Sequence, residues 1–322
     1  MPIATWPFGA TAVATAAAAV AAGAAALAAT AAGVTAVEHD PSVTSVGYGG
    51  LPRADGSLSL DAALMGADGT LGAVAAVPGV RAAMPLAAAL AAEGGSKGVA
   101  GAPPPILVGA GALAWAVDAG LAGGKDGRGG EVTLTPHARR RWEAHVAAPA
   151  TAAAGRRAHA TGLQGLGGPV EESPLSDGGR GDPRVGSNSG GSDGGDGGNG
   201  GGGCDHGGPP PPMDHTDTVG LIVRDADGGL AVGTATSGAE FALPGRVGDA
   251  PVVGAGFYAS ADGAAAVTGD GDRLLRHLLA AGVVSRLAAG VPVADAVRGV
   301  VAALAAADPA AAAAVVAMDA GG

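Results

Sequence analysis

Two segments rich in apolar and β-branched residues in the last third of the chain predict a β-hairpin. The strand-like segments are residues 217–224 and 230–236, and an Asp/Gly-rich loop of about five residues separates them. If the last residue of the first strand pairs with the first residue of the second, Thr218 lies directly opposite Thr236. A shift of one residue would remove this pairing, so only this register brings the two threonines together.

The same kind of pattern predicts further helices and strands. The amino-terminal part combines a short strand, an alanine-rich helix and a glycine-rich turn at Val46–Gly50. Helices are expected near Pro136–Val146 and over Arg273–Ala281, and a strand is expected over Ala314–Met318. Because 61 residues are glycine and alanine runs are frequent, helix propensity is a weak guide, and the patterns alone give only mixed α and β.

Composition divides the chain into three zones that we expect to form one composite domain. Residues 1–147 look folded, and residues 218–322 carry the hairpin. Residues 148–213 are rich in glycine and proline, hold too few apolar residues to offset the entropy lost on ordering, and are predicted to be a disordered linker. The last zone ends with a strand and the turn Asp319–Gly322, but the second strand of the hairpin that this turn would begin does not follow. We therefore expect this zone to be truncated.

Charge and hydropathy argue against several classes of partner. The formal net charge of -11 speaks against nucleic acid, because phosphate backbones are bound by clustered Lys and Arg. The uncharged segment Ala10–Val37 is mostly alanine, which contributes little to membrane insertion, so no membrane partner is predicted. No Lys or Arg precedes this segment, and we therefore expect no signal peptide.

The sequence gives no metal or cofactor motif. Its one cysteine, Cys204, excludes an intramolecular disulfide, and the Cys, His and Asp residues between positions 204 and 217 match no zinc spacing. The glycine pairs at Gly109–Gly111 and Gly254–Gly256 are incomplete as dinucleotide-binding loops. No metal and no cofactor are predicted.

Short motifs in the first and third zones carry the candidate chemistry. In the third zone they are, in order, Asp217–Gly220, Gly233–Gly238, Gly245–Gly256 and Thr268–Asp272. In the first zone they are Thr5–Phe8, Ser45–Pro52 and Leu60–Met65. Together these motifs resemble the glycosylasparaginases (aspartylglucosaminidases), N-terminal nucleophile hydrolases of the asparaginase type 2 family. The resemblance extends over nearly the whole chain outside the linker.

This resemblance implies an α+β fold, a four-layer αββα sandwich of two mainly antiparallel sheets between helical layers. It also implies that the chain cuts itself between Asp217 and Thr218, and that the freed threonine is the catalytic nucleophile. A threonine hydroxyl is a weak nucleophile and needs a base close by. An amino-terminal threonine has such a base in its own α-amino group, whose reference pKa is about 8, so the uncut precursor is expected to be inactive.

The resemblance assigns three more residues to catalysis. Thr236 would donate a hydrogen bond to the nucleophile oxygen of Thr218, and Thr268 with the backbone N–H of Gly269 would form the oxyanion hole. Without the resemblance, Thr218 is an ordinary β-branched residue at the start of a strand, and Thr268–Asp272 is a loop leading into a helix. The implied reaction is amide hydrolysis through a β-aspartyl-enzyme ester.

Three residues are candidates for binding the substrate. Arg246 offers a planar, two-pronged donor for a free α-carboxylate, and Asp249 can accept from an α-ammonium group. Trp6 would line the pocket by resemblance. The alternatives are a surface ion pair between Arg246 and Asp249 and a plain core position for Trp6.

The function implied is hydrolysis of the amide bond of N4-(β-N-acetylglucosaminyl)-L-asparagine. One alternative is a plant-type L-asparaginase or isoaspartyl (β-aspartyl) peptidase with the same nucleophile. Another is a non-processing, inactive paralogue, because Thr216 stands where the family usually has histidine. The family implies a heterotetramer of two processed precursors and suggests a lysosomal or secretory location, but with no visible signal peptide the sequence assigns no compartment.

Overall fold

Strands and helices both run through the computed structural model, which describes residues 1–94, 103–122, 134–148 and 217–322. The strands are β1 (Pro2–Ala4), β2 (Ser59–Gly66), β3 (Leu71–Pro78), β4 (Ile106–Val108), β5 (Val219–Arg224), β6 (Leu230–Thr236), β7 (Phe257–Ser260), β8 (Gly263–Gly269) and β9 (Ala313–Asp319). The helices are α1 (Gly9–Ala21), α2 (Ala26–Glu38), α3 (Met84–Ala92), α4 (Gly109–Asp118), α5 (Pro136–Ala147), α6 (Gly271–Leu274), α7 (Leu279–Ala288) and α8 (Val293–Ala307). The predicted α+β class is confirmed. The predicted linker lies outside the described residues except for Ala148.

The alanine-rich segment near the amino terminus forms two helices where the sequence predicted one. The break between α1 and α2 includes Gly23, whose φ of 89° lies in the left-handed region that glycine adopts without strain. The two helices pack closely at Gly33, where an added Cβ would come within 2.6 Å of the Ala12 carbonyl oxygen. Among the described residues, no helix is both long and apolar enough to span a bilayer.

The larger sheet contains the predicted hairpin in the predicted register. Its strand order is β1-β5-β6-β2-β3-β4. Val219 pairs with Ala235 and Arg224 pairs with Leu230, so the same register continued by one residue brings Thr218 level with Thr236. On its other side β6 pairs with β2, where Asp61 is the partner of Thr236. Thr218, Thr236 and Asp61 therefore follow one another across three neighbouring strands.

The smaller sheet has the order β7-β8-β9, with antiparallel pairing throughout. Its strand β9 contains the predicted strand Ala314–Met318. The predicted helix Arg273–Ala281 is wrong at its centre, because α6 ends at Leu274 and α7 begins only at Leu279. Leu278 has a φ of 47°, a left-handed conformation that interrupts a right-handed helix.

Buried apolar side chains form separate clusters on the faces of the two sheets. Leu221 packs with residues of the amino-terminal helices, whereas its neighbour Ile222 packs with Phe257 and Ala266 of the smaller sheet. Val267, the residue after Ala266, packs with α7 and α8. Successive strand residues face opposite sides of a sheet, so β5 and β8 each contribute to two clusters. The two sheets consequently face each other across a shared apolar cluster.

The predicted helix near Pro136–Val146 is confirmed as α5. Its side chains bind two loops of the larger sheet. Arg141 binds Glu240 through Nε and Nη2 at 2.8 and 2.5 Å. The ring of His145 stacks on Phe241 with centroids 3.8 Å apart. The indole N–H of Trp142 donates to the carbonyl of Ala54 at 3.3 Å. Loops 239–243 and 53–57 are therefore held by the same helix.

Candidate active site

The hydroxyl of Thr268 joins three of the predicted site residues. Its oxygen accepts a hydrogen bond from the backbone N–H of Thr218 at 2.9 Å and another from the indole N–H of Trp6 at 3.1 Å. Thr218 is 3% exposed and Thr268 is fully buried. Residues that lie 50 and 262 positions apart in the sequence thus meet at one oxygen atom.

The carbonyl of Thr218 is held by a residue that precedes Trp6. Thr5 Oγ1 donates to this carbonyl oxygen and accepts from the backbone N–H of Gly220, both at 2.8 Å. Trp6 itself has a φ of 59°, which is uncommon for a bulky residue and costs backbone energy. Such strain persists only where surrounding contacts fix the conformation, and here the indole bond to Thr268 is one of them.

Thr236 lies level with Thr218 as predicted, but its hydroxyl makes other bonds. It donates to the carbonyl of Ser45 at 3.3 Å and accepts from the backbone N–H of Gly238 at 3.0 Å. The predicted donation to the oxygen of Thr218 is thus replaced in this structure by donation to Ser45. The physical reason is that a threonine hydroxyl has one hydrogen to donate.

Gly269 directly follows Thr268 in a conformation that only glycine adopts readily. Its φ is 146°, and a Cβ at this position would lie 2.1 Å from the carbonyl oxygen of Ala312. The backbone of Gly269 is therefore packed against the chain that enters β9. The predicted pair Thr268 and Gly269 stands at the end of β8, close to the start of β5.

Arg246 and Asp249 lie together beside Gly271, but they do not form the surface ion pair that was the alternative to substrate binding. A Cβ added at Gly271 would be 2.8 Å from Asp249 Oδ1 and 3.1 Å from Arg246 Nη2. Arg246 binds Asp272 instead, through Nε at 2.8 Å and Nη2 at 2.7 Å. Asp249 is 3% exposed, and its Oδ2 atom has no hydrogen-bond partner among the described residues.

Sequence reasoning missed two buried charged residues near these groups, Arg53 and Asp61. Arg53 Nε donates to Ser59 Oγ at 2.8 Å, and Asp61 Oδ1 accepts from the backbone N–H of Ala76 at 2.6 Å. Both residues are fully buried. A signal was available for Asp61, because it is the one ionisable residue of strand β2, whose residues are all buried. Arg53 lies in a turn, and nothing in the sequence marks it.

Burial raises the pKa of two of the carboxyl groups. Desolvation raises the pKa of Asp249 to about 6, although the positive charge of Arg246 opposes the shift. Desolvation likewise raises the pKa of Asp61 to about 6, against the charges of Arg53 and Arg246. Burial lowers the pKa of Arg53. Perturbed pKa values clustered in this way are typical of functional sites.

A cavity of about 370 Å³ adjoins Asp217. Side chains with hydroxyl or carboxylate groups make up most of its wall, and the lining residues are Phe8, Thr11, Asp40, Ser42, Val43, Thr44, Ser45 and Asp217. The predicted cleavage site therefore borders a polar cavity that is large enough to hold a small ligand.

The described residues contain no group of three or more His, Cys, Asp or Glu residues placed to hold a metal ion. Cys204, Asp205, His206, Asp214 and His215, the candidates weighed from the sequence, lie outside the described residues.

Comparison with known proteins gives a family and several relatives. A sequence model of the family described as asparaginase matches residues 9–322. An N(4)-(beta-N-acetylglucosaminyl)-L-asparaginase of Elizabethkingia miricola is 27% identical over 275 residues, which cover 85% of this chain and 60% of the relative. A mouse protein with the same name is 57% identical over 63 residues, or 19% of this chain and 18% of the relative.

A plant protein is similar to a shorter part of the chain. The protein of Arabidopsis thaliana named probable isoaspartyl peptidase/L-asparaginase 3 is 40% identical over 112 residues, which cover 34% of this chain and 31% of the relative. In all three matches the chain spans less than two thirds of the length of the relative.

Proposed function

Since this chain belongs to the asparaginase family, we propose that it is a self-cleaving amidohydrolase whose nucleophile is Thr218. The substrate is N4-(β-N-acetylglucosaminyl)-L-asparagine, and the bond cut is its side-chain amide. The observation that carries the proposal is the hydrogen bond of 2.9 Å between the backbone nitrogen of Thr218 and Thr268 Oγ1. The names of the bacterial and mouse relatives support the choice of substrate.

Self-cleavage begins with attack of Thr218 Oγ1 on the carbonyl carbon of Asp217. The peptide C–N bond breaks, the hydroxyl proton passes to the nitrogen of Thr218, and an ester joins the two residues. Water then hydrolyses the ester, which leaves Asp217 with a carboxylate and Thr218 with a free α-amino group. The burial of Thr218 and the two bonds to its backbone, from Thr5 and to Thr268, support a fixed geometry for this attack.

In the cut protein the α-amino group of Thr218 takes the hydroxyl proton while the oxygen attacks the substrate amide carbon. The C–N bond breaks and the proton goes to the leaving amine. The resulting β-aspartyl ester is hydrolysed by water to aspartate. Thr268 and the backbone N–H of Gly269 stabilise the negative charge on the carbonyl oxygen. The hydroxyl of Thr236 turns from Ser45 towards the nucleophile, since hydroxyl hydrogens rotate.

The amino-acid end of the substrate is recognised by charge. Arg246 binds the α-carboxylate, and Asp249 accepts from the α-ammonium group through its unpartnered Oδ2 atom. Trp6 lines the pocket on the side of Thr268. Because the pKa of Asp249 is raised to about 6, the carboxylate form that binds an ammonium predominates above that pH.

The two facing sheets, with helices on their other faces, support a four-layer αββα sandwich as the complete arrangement. We extend the proposal to the assembly, a heterotetramer of two processed precursors. The predicted linker then becomes the tail of the first chain.

Intact mass and amino-terminal sequencing of the purified protein test the proposal. The wild type should give two chains, the second beginning at Thr218, whereas Thr218→Ala should stay uncut because it lacks the attacking oxygen. Thr268→Val keeps the side-chain volume but removes the oxygen that binds Thr218 and Trp6, and should slow self-cleavage at least tenfold.

The matched control is Thr30→Val. Thr30 is also fully buried, but among the described residues its hydroxyl bonds only to the carbonyl of Ala26 in its own helix, so this variant should cut at the wild-type rate. A wild-type chain that stays whole would contradict the proposal and favour a non-processing paralogue. For a cut protein, the relative rates on glycosylasparagine, L-asparagine and an isoaspartyl dipeptide would separate the main proposal from the asparaginase and peptidase alternative.

A further inference from the structure

The guanidinium group of Arg53 is buried near the candidate active site, and its two terminal nitrogen atoms make no hydrogen bond to the described residues. Arg53 is fully buried, and its Nη1 and Nη2 atoms have no hydrogen-bond partner among the described residues. Both atoms lie 3.0 Å from the position of a Cβ at Gly238, whose backbone N–H binds the hydroxyl of Thr236. The charged end of Arg53 thus lies beside Gly238, which is two positions along the chain from Thr236, a predicted catalytic residue.

The position of this guanidinium is fixed by its surroundings. Arg53 Nε donates to Ser59 Oγ at 2.8 Å. The backbone N–H of Arg53 donates to the carbonyl of Ser57 at 2.8 Å, which closes a turn. The next residue, Ala54, accepts from Trp142 of helix α5. The two free donors therefore point in a defined direction and need no reordering to bind a ligand.

Other unpartnered polar atoms are buried in the same region. They are Ser237 Oγ, Asp61 Oδ2 and Asp249 Oδ2. Asp61 is the strand partner of Thr236, and the charges of Asp61 and Arg246 both shift the pKa of Arg53, so these groups lie close together. A buried charge without a partner is strongly unfavourable, and a cluster of such atoms is expected where a polar ligand completes the bonding.

Arg246, the residue predicted to bind the carboxylate, is already partly engaged. Its Nε and Nη2 atoms both bind Asp272 Oδ1, which occupies one of the two edges of the guanidinium group that could bind a carboxylate through two parallel bonds. The Nη1 and Nη2 atoms of Arg53 form a two-pronged donor, and neither has a hydrogen-bond partner among the described residues. Of the two guanidinium groups, Arg53 has the more complete set of free donors.

We propose that Arg53 is a specificity-determining residue that binds the α-carboxylate of the substrate together with Arg246. This inference rests on the proposed function, because it assigns a second arginine to the same site. Arg246 remains anchored by Asp272 while Arg53 supplies two parallel bonds. Asp249 and Asp61 accept from the α-ammonium group, so that two positive and two negative side chains surround an amino-acid zwitterion.

The test compares two substrates that differ only at the α-carboxyl group. They are N4-(β-N-acetylglucosaminyl)-L-asparagine and its α-carboxamide, and kcat and KM are measured for the wild type, Arg53→Met, Arg53→Lys and Arg298→Met. Methionine removes the charge at a similar length. Arg298 is an exposed arginine paired with Asp295, so Arg298→Met controls for loss of an arginine elsewhere.

In the wild type we expect a preference for the free carboxylate. Arg53→Met should reduce this preference roughly 10- to 100-fold, mainly by raising KM for the carboxylate substrate, because charge-assisted bonds are lost. Arg53→Lys should reduce it less, and Arg298→Met should leave it unchanged. The preference is a ratio within one variant, so a general loss of folding or of self-cleavage efficiency cancels.

The inference is overturned if Arg53→Met lowers kcat/KM equally for both substrates or for neither. It is also overturned if neither Arg53 variant undergoes self-cleavage while Arg298→Met does, because Arg53 would then serve folding. Failure of the proposed function has a different signature, since the wild type itself would stay uncut or hydrolyse neither substrate.

Discussion

At the scale of single residues, a buried carboxyl group at Glu38 joins the end of one helix to the beginning of another. Glu38 is the last residue of α2, and its two carboxyl oxygens accept hydrogen bonds from the backbone N–H groups of Ala83 and Met84 at 2.8 and 3.0 Å. These donors would otherwise be unsatisfied at the start of α3. Desolvation outweighs the two bonds and raises the pKa of Glu38 to about 8.

The raised pKa of Glu38 predicts a pH-dependent stability. Between its ordinary value of 4.5 and about 8, the folded protein holds the proton more firmly than the unfolded chain does. The free energy of unfolding should therefore fall as pH rises through this window. Urea unfolding of uncut Thr218→Ala protein at pH 6 and pH 8 measures the fall, which should be much smaller when Glu38→Gln is added.

The pH range is chosen to isolate Glu38. Asp61 and Asp249 have raised pKa values of about 6, and their contribution of the same sign falls mainly below that pH. Equal slopes with and without Glu38→Gln between pH 6 and pH 8 would show that the carboxyl group of Glu38 is not the titrating group.

At the scale of elements, glycine and alanine allow the two sheets to approach closely beneath the candidate site. A Cβ at Gly220 of β5 would lie 2.7 Å from the Cβ of Ala266 in β8. The backbone N–H of Gly220 also binds Thr5, which holds the carbonyl of Thr218. The spacing of the sheets and the position of the proposed nucleophile therefore depend on the same residue.

Gly220→Ala should be destabilising because the added methyl group overlaps Ala266. The expected loss in the free energy of unfolding is about 1–3 kcal/mol, with slower self-cleavage as Thr218 is displaced. The compensating change Ala266→Gly should restore part of the stability when the two substitutions are combined. Urea unfolding of the four proteins gives a double-mutant cycle, and strict additivity would contradict the proposed overlap.

Helices were harder to predict than the hairpin for a local reason. The hairpin has turn residues between two strand-like segments, and its register follows from the length of the loop. Residues 273–281 contain no glycine or proline, so the left-handed Leu278 that separates α6 from α7 leaves no mark in the sequence. The break between α1 and α2 contains Gly23, but glycine is too frequent in this chain to be diagnostic.

At the scale of the whole molecule, the larger sheet interleaves strands from both sides of the predicted cleavage site. In the order β1-β5-β6-β2-β3-β4, strands β5 and β6 follow Thr218 in the sequence, and their neighbours β1 and β2 precede it. The smaller sheet, formed entirely after Thr218, packs on strands of both groups. The proposed cleavage would thus divide the chain without dividing its core.

We expect the two chains to stay associated after cleavage. Backbone hydrogen bonds between β1 and β5 and between β2 and β6, together with the shared apolar core, join them. Wild-type protein should elute as one species from a size-exclusion column and give two bands on a denaturing gel. Separation of the fragments without denaturant would contradict this interleaved arrangement.

The sequence by itself determined the hairpin and its register, because turn chemistry and strand periodicity act over a few positions. The resemblance of its short motifs to a known family singled out Thr218, Thr268 and Trp6, and only the tertiary structure brought them together at one hydroxyl. The tertiary structure decided the partners of the charged groups: Asp272 for Arg246, burial for Asp249, and the approach of Arg53 and Asp61. Burial and pairing depend on contacts between distant segments, so the identity of a charged residue does not reveal whether it ends in water, in an ion pair or buried among other charged groups.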